Sequence, residues 1–484
     1  MKYYVTTPIY YVTAKPHIGT AYATTIADII ARWHRLCDDE VFFLTGSDEH
    51  GEKIEGASKA LGQTPKEMVD ELAEKYKSTW KELDISYDKF IRTTDEHHEK
   101  VVKEFFKVLY NKGDIYKGYY EGWYCVPDEM FITELQLVNG KCPECGREVK
   151  RVKEETYFFR LSKYQNKLLE FYDKNSAFLM PKKRSQEIIN RVKAGINDIS
   201  ISREKVKWGV KLPIDEKHTA YVWFDALLNY LSAVEWPSEK YKKIWPPDVH
   251  IVGKEINWFH TVIWPSILFS AGIEPPKTVF AHGWWTVDGK KMSKSLGNYI
   301  DPIEIKNKYG VDALRYFFVR EMPLGDDADF SEAALISRIN GELVDDLGNL
   351  VYRTLTLAER FDGKIEGKPE LDKNIDIEKL KELMNKFDTF STINEIWNIV
   401  RATNKYINDN EAWKLDGEKI GHVLYNLLES LRVISILLIP FMPETAEKIR
   451  VQLGTDKQKI DKCKFLPYDG KIKKGKHLFE KVKK

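Results

Sequence analysis

Along the first hundred positions the apolar residues switch between two periods. Residues 3–7 are β-rich and run into a loop carrying Pro8 and Pro16. Over 19–36, Ala23, Ile26, Ala27, Ile30, Ala31 and Trp33 recur at helical spacing. Residues 40–45 form a short apolar run of strand length, closed by Gly46-Ser47-Asp48-Glu49-His50-Gly51. Strand, loop, helix, strand is the opening of a parallel α/β sheet, and ligands of such sheets sit beyond the carboxyl ends of the strands. The pattern therefore predicts one cleft holding both the His17 loop and Asp48. Residues 67–83 and 95–112 follow as amphipathic helices.

The middle of the chain changes character. Residues 116–124 are rich in tyrosine and glycine, and Asn139-Gly140 is a strong turn signal. Helices are predicted over 155–171 and 185–193. From Ala220 to Tyr230 a strand passes into a helix, and 249–252 is a further strand, so the α/β domain resumes here. Trp258, Phe259, His260 and Trp264 crowd one helical stretch, which taken alone reads as core. Beyond residue 340 the pattern is helical throughout, with an apolar stripe of Leu343, Leu347, Leu350, Val351, Leu355 and Ala358. Asn349, Arg353, Thr356 and Arg360 fall on another face. Pro440-Phe441-Met442-Pro443 ends one helix and starts the next.

Bulk properties add bounds. A chain of 484 residues, 43% hydrophobic and 31% charged, has room for two to four well-packed domains. The net charge of +1 means that a nucleic-acid partner must be met by local basic faces. The N-terminus lacks the apolar core of a signal peptide. The longest apolar run, 433–442, is broken by Ser435 and Pro440 and is too short to span a bilayer, so a cytoplasmic protein without membrane contact is expected. Five cysteines do not make a disulfide framework. Three of them cluster, as Cys125-Val126-Pro127-Asp128 and Cys142-Pro143-Glu144-Cys145, two half-sites of zinc-knuckle spacing. Asp128 stands at the second ligand position, and carboxylate oxygen also binds Zn²⁺, so one structural ion on Cys125, Asp128, Cys142 and Cys145 is expected.

Near the middle lies Asp288-Gly289-Lys290-Lys291-Met292-Ser293-Lys294-Ser295-Leu296-Gly297-Asn298. Its lysines, three residues apart with serines between, suit a polyanion such as a triphosphate in transit. By itself this is a solvated surface loop. Far upstream, however, stands His17-Ile18-Gly19, and the pair resembles the two signatures of class I aminoacyl-tRNA synthetases. The ordered set extends the likeness over essentially the whole chain. It includes Thr7-Pro8-Ile9-Tyr10-Tyr11, the segment 45–51, Tyr221-Val222-Trp223-Phe224-Asp225-Ala226, Gly253-Lys254-Glu255-Ile256 and Ala281-His282-Gly283-Trp284. In that order they resemble the methionyl-tRNA synthetases of the compact bacterial type, with Thr20 in place of the usual histidine.

The resemblance implies an α/β fold: a Rossmann-type parallel-sheet catalytic domain with an inserted zinc-knuckle connective domain and a C-terminal α-helical bundle. The implied division is 1–115 and 214–275 for the catalytic halves, 116–213 for the insertion, 276–335 for the lysine-loop and stem-contact region, and 336–484 for the anticodon-binding bundle. It implies ATP with Mg²⁺, L-methionine, and elongator and initiator tRNA(Met) as partners of a monomer. Catalysis would rest on His17, Gly19, Thr20, Lys291 and Lys294. ATP would meet these together with Gly253, Glu255, His282, Gly283, Trp284, Met292, Ser293 and Ser295. Methionine would lie among Ile9, Tyr11, Trp223, Ala226, Tyr230, Phe259, His260 and Trp264. Tyr230 and His260 would donate to the thioether, and Asp48 would hold the α-ammonium group. Asn349, Arg353 and Trp413 would read the anticodon. A silent RNA-binding paralogue is disfavoured by the presence of His17, Lys291 and Lys294. A cysteine-specific ligase is disfavoured because the clustered cysteines lie in the insertion, away from His17 and Asp48.

Overall fold

The computed structural model of the protein describes residues 1–132, 134–143, 145–287, 289–291, 299–456 and 458–483, without the side chains of Leu135, Lys290 and Lys291. At its centre is a six-stranded, wholly parallel sheet. The strands are β1 (Lys2–Tyr11), β2 (Glu40–Asp48), β3 (Lys89–Arg92), β4 (Leu179–Met180), β5 (Val249–Gly253) and β6 (Val279–His282), in the order β3-β2-β1-β5-β6-β4. Strands leave β1 in opposite directions, so a crevice opens beyond the carboxyl ends of β1 and β5, which are the ends marked by Tyr11 and Gly253. Helix α1 (Ile18–Leu36) starts over that crevice. It is buried from Ala21 through Ala31, so its apolar spacing serves the sheet on one side and later helices on the other.

The insertion is an antiparallel sheet built on a hairpin, Ile115–Cys125 against Lys150–Phe159, paired from Ile115↔Phe159 to Tyr124↔Lys150. This corrects the helix expected over 155–171. Residues up to Phe159 are strand; a short 3-10 turn, Leu161–Tyr164, follows and leads into an α-helix from Gln165. Val152, Glu154, Thr156 and Phe159 are buried between more exposed neighbours, and a strand paired along its full length satisfies its backbone as no isolated helical turn could. The Asn139-Gly140 turn is present, both residues at positive φ, within a Val138–Lys141 bridge.

The C-terminal part packs α2 (Val311–Arg320), α3 (Thr389–Asp409) and α4 (Gly417–Leu438) around one apolar core continuous with that of α1. α4 is the one described helix long and apolar enough to cross a membrane, and 94% of that apolar stretch is buried in the bundle. Arg315 on α2 fastens the two parts together. Its guanidinium pairs with Asp28 of α1 at 2.7 Å and donates to the carbonyls of Pro440 (2.9 Å) and Phe441 (3.0 Å), all away from water.

Candidate active site

The crevice encloses a cavity of about 260 Å³. His17 is the N-cap of α1, and its Nδ1 accepts from the backbone N–H groups of Gly19 (3.1 Å) and Thr20 (3.4 Å). A neutral imidazole that accepts at Nδ1 carries its proton on Nε2. Thr20 completes a capping box: its hydroxyl donates to the His17 carbonyl at 2.8 Å and accepts from the His17 N–H at 3.0 Å. The Thr20 hydroxyl therefore orders the helix start, where backbone N–H groups favour an anion.

Most residues expected at this site line the same cavity: Ile9, Tyr11, His17, Gly19, Thr20, Asp48, Trp223, Ala226, Tyr230, Gly253, Glu255, His260, His282, Gly283 and Trp284. Phe259 and Trp264 stand one layer back. Phe259 stacks flat on Trp223 at 3.8 Å between ring centroids. Trp264 is fully buried, packs on Tyr230, and donates through Nε1 to His250 Nε2 at 3.3 Å. Lys291 is described only in its backbone, which pairs with Thr286. Met292, Ser293, Lys294 and Ser295 lie outside the described residues. Beyond them the Tyr299 hydroxyl donates to the Pro16 carbonyl at 2.5 Å, and the Ile18 N–H donates to the Ile300 carbonyl at 3.1 Å. The chain leaving the lysine loop is thus tied to the loop that carries His17.

The aromatic end of the cavity differs in one respect from expectation. Burial lowers His260 to about 4, so the ring is neutral at pH 7. Its Nδ1–H donates to the Ile256 carbonyl (3.1 Å), and its Nε2 accepts the Tyr230 hydroxyl proton (2.8 Å). Both protons are committed to protein partners in this arrangement. Among the described residues, the buried donors on the lining that lack a partner are the Tyr22 hydroxyl, Trp223 Nε1 and Trp285 Nε1.

At the polar end, burial raises Asp48 well above the usual carboxylate range, and Asp225, Glu129 and Glu49 push it further. Its Oδ1 is buried without a hydrogen-bond partner. Its neighbours, by contrast, are satisfied. Asp225 accepts from His50 at 2.7 Å and from His98 at 2.8 Å. Against the effect of burial, these two histidines bring Asp225 down to about 2. Against burial again, Asp225 holds His50 above its ordinary value. Glu49 is paired with Arg92 at 2.7 Å. The site thus offers one buried carboxylate with an unpaired oxygen, a place for a cation.

The side of the cavity lined by Glu255 and residues 282–284 is closed by aromatic contact. Trp284 Nε1 donates to Glu255 at 2.6 Å, its N–H donates to Asp327 at 2.8 Å, and Lys254 sits 3.9 Å over its ring. A Cβ on Gly283 would lie 1.9 Å from the Asp326 carbonyl oxygen, so only glycine lets this segment pass.

Away from the cleft, Cys125 Sγ and Cys142 Sγ each lie 3.2 Å from Asp128 Oδ2, and Cys125 Sγ lies 3.5 Å from Cys145 Sγ. All four ligand atoms are within 4.8 Å of one another. Tetrahedral thiolate ligation at about 2.3 Å gives ligand–ligand edges of about 3.8 Å, so the donor set and spacing fit a metal ion. Glu155, Asp215 and His218 also converge, but the Lys117 ammonium already sits there, 2.6 Å from Glu155 and 3.1 Å from Asp215. In the helical bundle, the Arg353 guanidinium lies 5.7 Å over the ring of Trp413, which is 52% exposed. Asn349 is one turn before Arg353, and beside Trp413 opens a cavity of about 920 Å³ reaching Arg360 and Phe361.

Sequence reasoning assigned no role to Asp225, His98 or Glu129. Asp225 and His50 lie inside quoted motifs, which was the available signal; their pairing joins positions 175 residues apart.

The family model for tRNA synthetases class I (M) matches residues 3–154 and 148–355, and that for the anticodon-binding domain of tRNA ligase matches 373–483. The chain is 49% identical over 502 residues to a methionine–tRNA ligase of Caldanaerobacter subterraneus subsp. tengcongensis, covering 99% of this chain and 79% of the relative. It is 45% identical to that of Rickettsia felis, covering 94% and 93%. Among solved structures, it is similar to Mycobacterium tuberculosis methionyl-tRNA synthetase in complex with methionyl-adenylate, with a TM-score of 0.94 and 38% identity over 99% of this chain and 100% of that one. The TM-score to the free state of that enzyme is 0.87, with 100% of this chain and 98% of that one covered.

Proposed function

Because the chain belongs to the class I tRNA synthetases specific for methionine, we propose that the crevice beyond β1 and β5 is where it joins methionine to ATP. The chain activates L-methionine with ATP, forming methionyl-adenylate and pyrophosphate, and transfers the methionyl group to the 3′ end of tRNA. One observation carries the assignment of the site: Asp48 presents a buried, unpaired carboxylate oxygen beside an aromatic cavity. A zwitterionic amino acid with an apolar side chain suits both ends. Its ammonium group meets Asp48, and its side chain meets Ile9, Trp223, Ala226, Tyr230 and His260.

The attacking carboxylate is ionised at pH 7, so no general base is needed, and rate comes from positioning and charge stabilisation. His17 Nε2–H holds phosphate oxygens, and the dipole at the N-terminus of α1 favours their charge. Thr20 acts by ordering that terminus. Glu255 takes the ribose hydroxyls once Trp284 releases it, and the His282-Gly283-Trp284 segment flanks the adenine. Lys291 and Lys294, with the intervening Met292 and Ser293 and the following Ser295, neutralise the departing pyrophosphate, with Mg²⁺ arriving on ATP. Cys125, Asp128, Cys142 and Cys145 hold one Zn²⁺, which cross-links the two turns of the insertion. Asn349, Arg353 and Trp413 meet the anticodon of tRNA(Met), elongator and initiator alike, with the indole as a stacking platform.

The functional division is catalytic halves 1–115 and 214–275, insertion 116–213, stem-contact region 276–335 and anticodon bundle 336–484. The working unit is a cytoplasmic monomer. ATP–pyrophosphate exchange measured with each of the twenty amino acids tests the reading. Exchange should be driven by methionine, and exchange driven better by leucine or cysteine would overturn it.

A further inference from the structure

The turn that carries two candidate metal ligands, Cys125 and Asp128, continues directly into Glu129, and Glu129 does not stay in the insertion. Its side chain is buried in the catalytic domain. One carboxylate oxygen accepts the hydroxyl proton of Tyr11, at the end of β1, and the other accepts the Lys53 N–H at 2.9 Å. Its main-chain carbonyl accepts the hydroxyl of Tyr221.

Two backbone features make room for this. Glu129 adopts φ +46°, a left-handed conformation uncommon for a residue with a side chain. Gly51, which closes the segment after Asp48, has φ +110°, and a Cβ there would lie 2.6 Å from the Glu129 carboxylate. A strained residue held by three hydrogen bonds from another domain, opposite a glycine that alone can make space, points to function. Tyr11 itself lines the cavity, with the Lys53 ammonium 4.9 Å from its ring centroid.

We propose that Glu129 is a positioning residue for the amino-acid subsite. Its carboxylate fixes the Tyr11 ring against the cleft and supplies negative charge beside Asp48, so that the inserted domain takes part in recognising the substrate's cationic amine. This rests on the reading of the cleft as the methionine site. A purely structural clamp between insertion and sheet is the competing account, and it makes different forecasts. A clamp fixes the protein whatever the ligand, whereas charge beside Asp48 matters only to ligands that carry an amine.

The test uses the full chain with E129Q, Y11F and the double variant. E129Q keeps an acceptor but removes the charge, and a charge-assisted hydrogen bond is about twice as strong as a neutral one. E129Q should raise KM for methionine about tenfold in pyrophosphate exchange while kcat stays within about twofold. Methioninol, which keeps the amine, should bind about tenfold more weakly to E129Q, and 4-(methylthio)butanoate, which lacks it, within about twofold of wild type. Y11F should raise KM in the same direction, and adding it to E129Q should raise KM less than the product of the single effects. Equal weakening of both analogues, a fall in kcat at constant KM, or a Y11F enzyme with unchanged KM would overturn the proposal. If E129Q does not fold, Y11F with the two analogues still decides it. Failure of the wild-type chain to exchange with methionine would instead overturn the underlying reading.

Discussion

Replacing Asp48 by asparagine should move binding and stability in opposite directions. The carboxylate is 5% exposed, one oxygen is unpaired, and its neighbours Asp225, Glu129 and Glu49 are acidic. An ammonium group about 3 Å away gains about 5 kcal/mol at an effective dielectric of about 20. Removing one partner of such a buried pair costs about 3–5 kcal/mol, because the other charge is left uncompensated. D48N should therefore weaken methionine binding by a hundredfold to a few thousandfold. The free protein should respond the other way. A carboxylate whose folded pKa is raised binds more protons folded than unfolded between its ordinary and its raised value. Wild-type stability consequently falls as pH rises through that window. D48N removes this slope, and its melting temperature at pH 7 should equal or exceed that of wild type. Methionine, favouring the ionised carboxylate, should release protons on binding to wild type in the same window and none on binding to D48N. Isothermal titration calorimetry in two buffers of different ionisation enthalpy reads both quantities, and scanning calorimetry reads the third. D48N binding within fivefold of wild type, or melting clearly lower, would refute the assignment of Asp48 as the ammonium partner.

Three further outcomes are expected. Trp413→Ala should cost about 1–3 kcal/mol in tRNA charging while pyrophosphate exchange is unchanged, since the half-exposed ring faces a cavity remote from the cleft; parallel losses in charging, exchange and melting temperature would end the stacking role. Elemental analysis of protein purified without chelator should find one zinc per chain, and Asp128→Cys should tighten the site because thiolate is the softer ligand; active enzyme with zinc near zero would exclude it. Lys294→Ala should slow exchange by about 2–4 kcal/mol in rate with methionine affinity nearly intact, and a pure KM effect would contradict a role confined to the transition state.

What the sequence determined by itself lay in contiguous segments. Residues 3–7, 19–36 and 40–45 announced strand, helix and strand because side-chain periodicity is a local property. The knuckle could be read because its ligands pair within short turns. His17 was recognisable as a loop residue before a helix, and its capping geometry involves only its neighbours Gly19 and Thr20. The helix expected over 155–171 failed where locality failed. Its first residues pair with Ile115–Tyr119, some forty positions away, and a complete backbone ladder outweighs helical propensity. The committed protons of Tyr230 and His260, the retreat of Trp264 behind Tyr230 and the closure of Trp284 on Glu255 are also tertiary facts. So are the pairing of Asp225 with His50 and His98, and the reach of Glu129 to Tyr11. Which donor meets which acceptor depends on strand order and crossover path, and residue spacing along the chain carries no record of distances that arise only when the β1–β5 crevice closes around them.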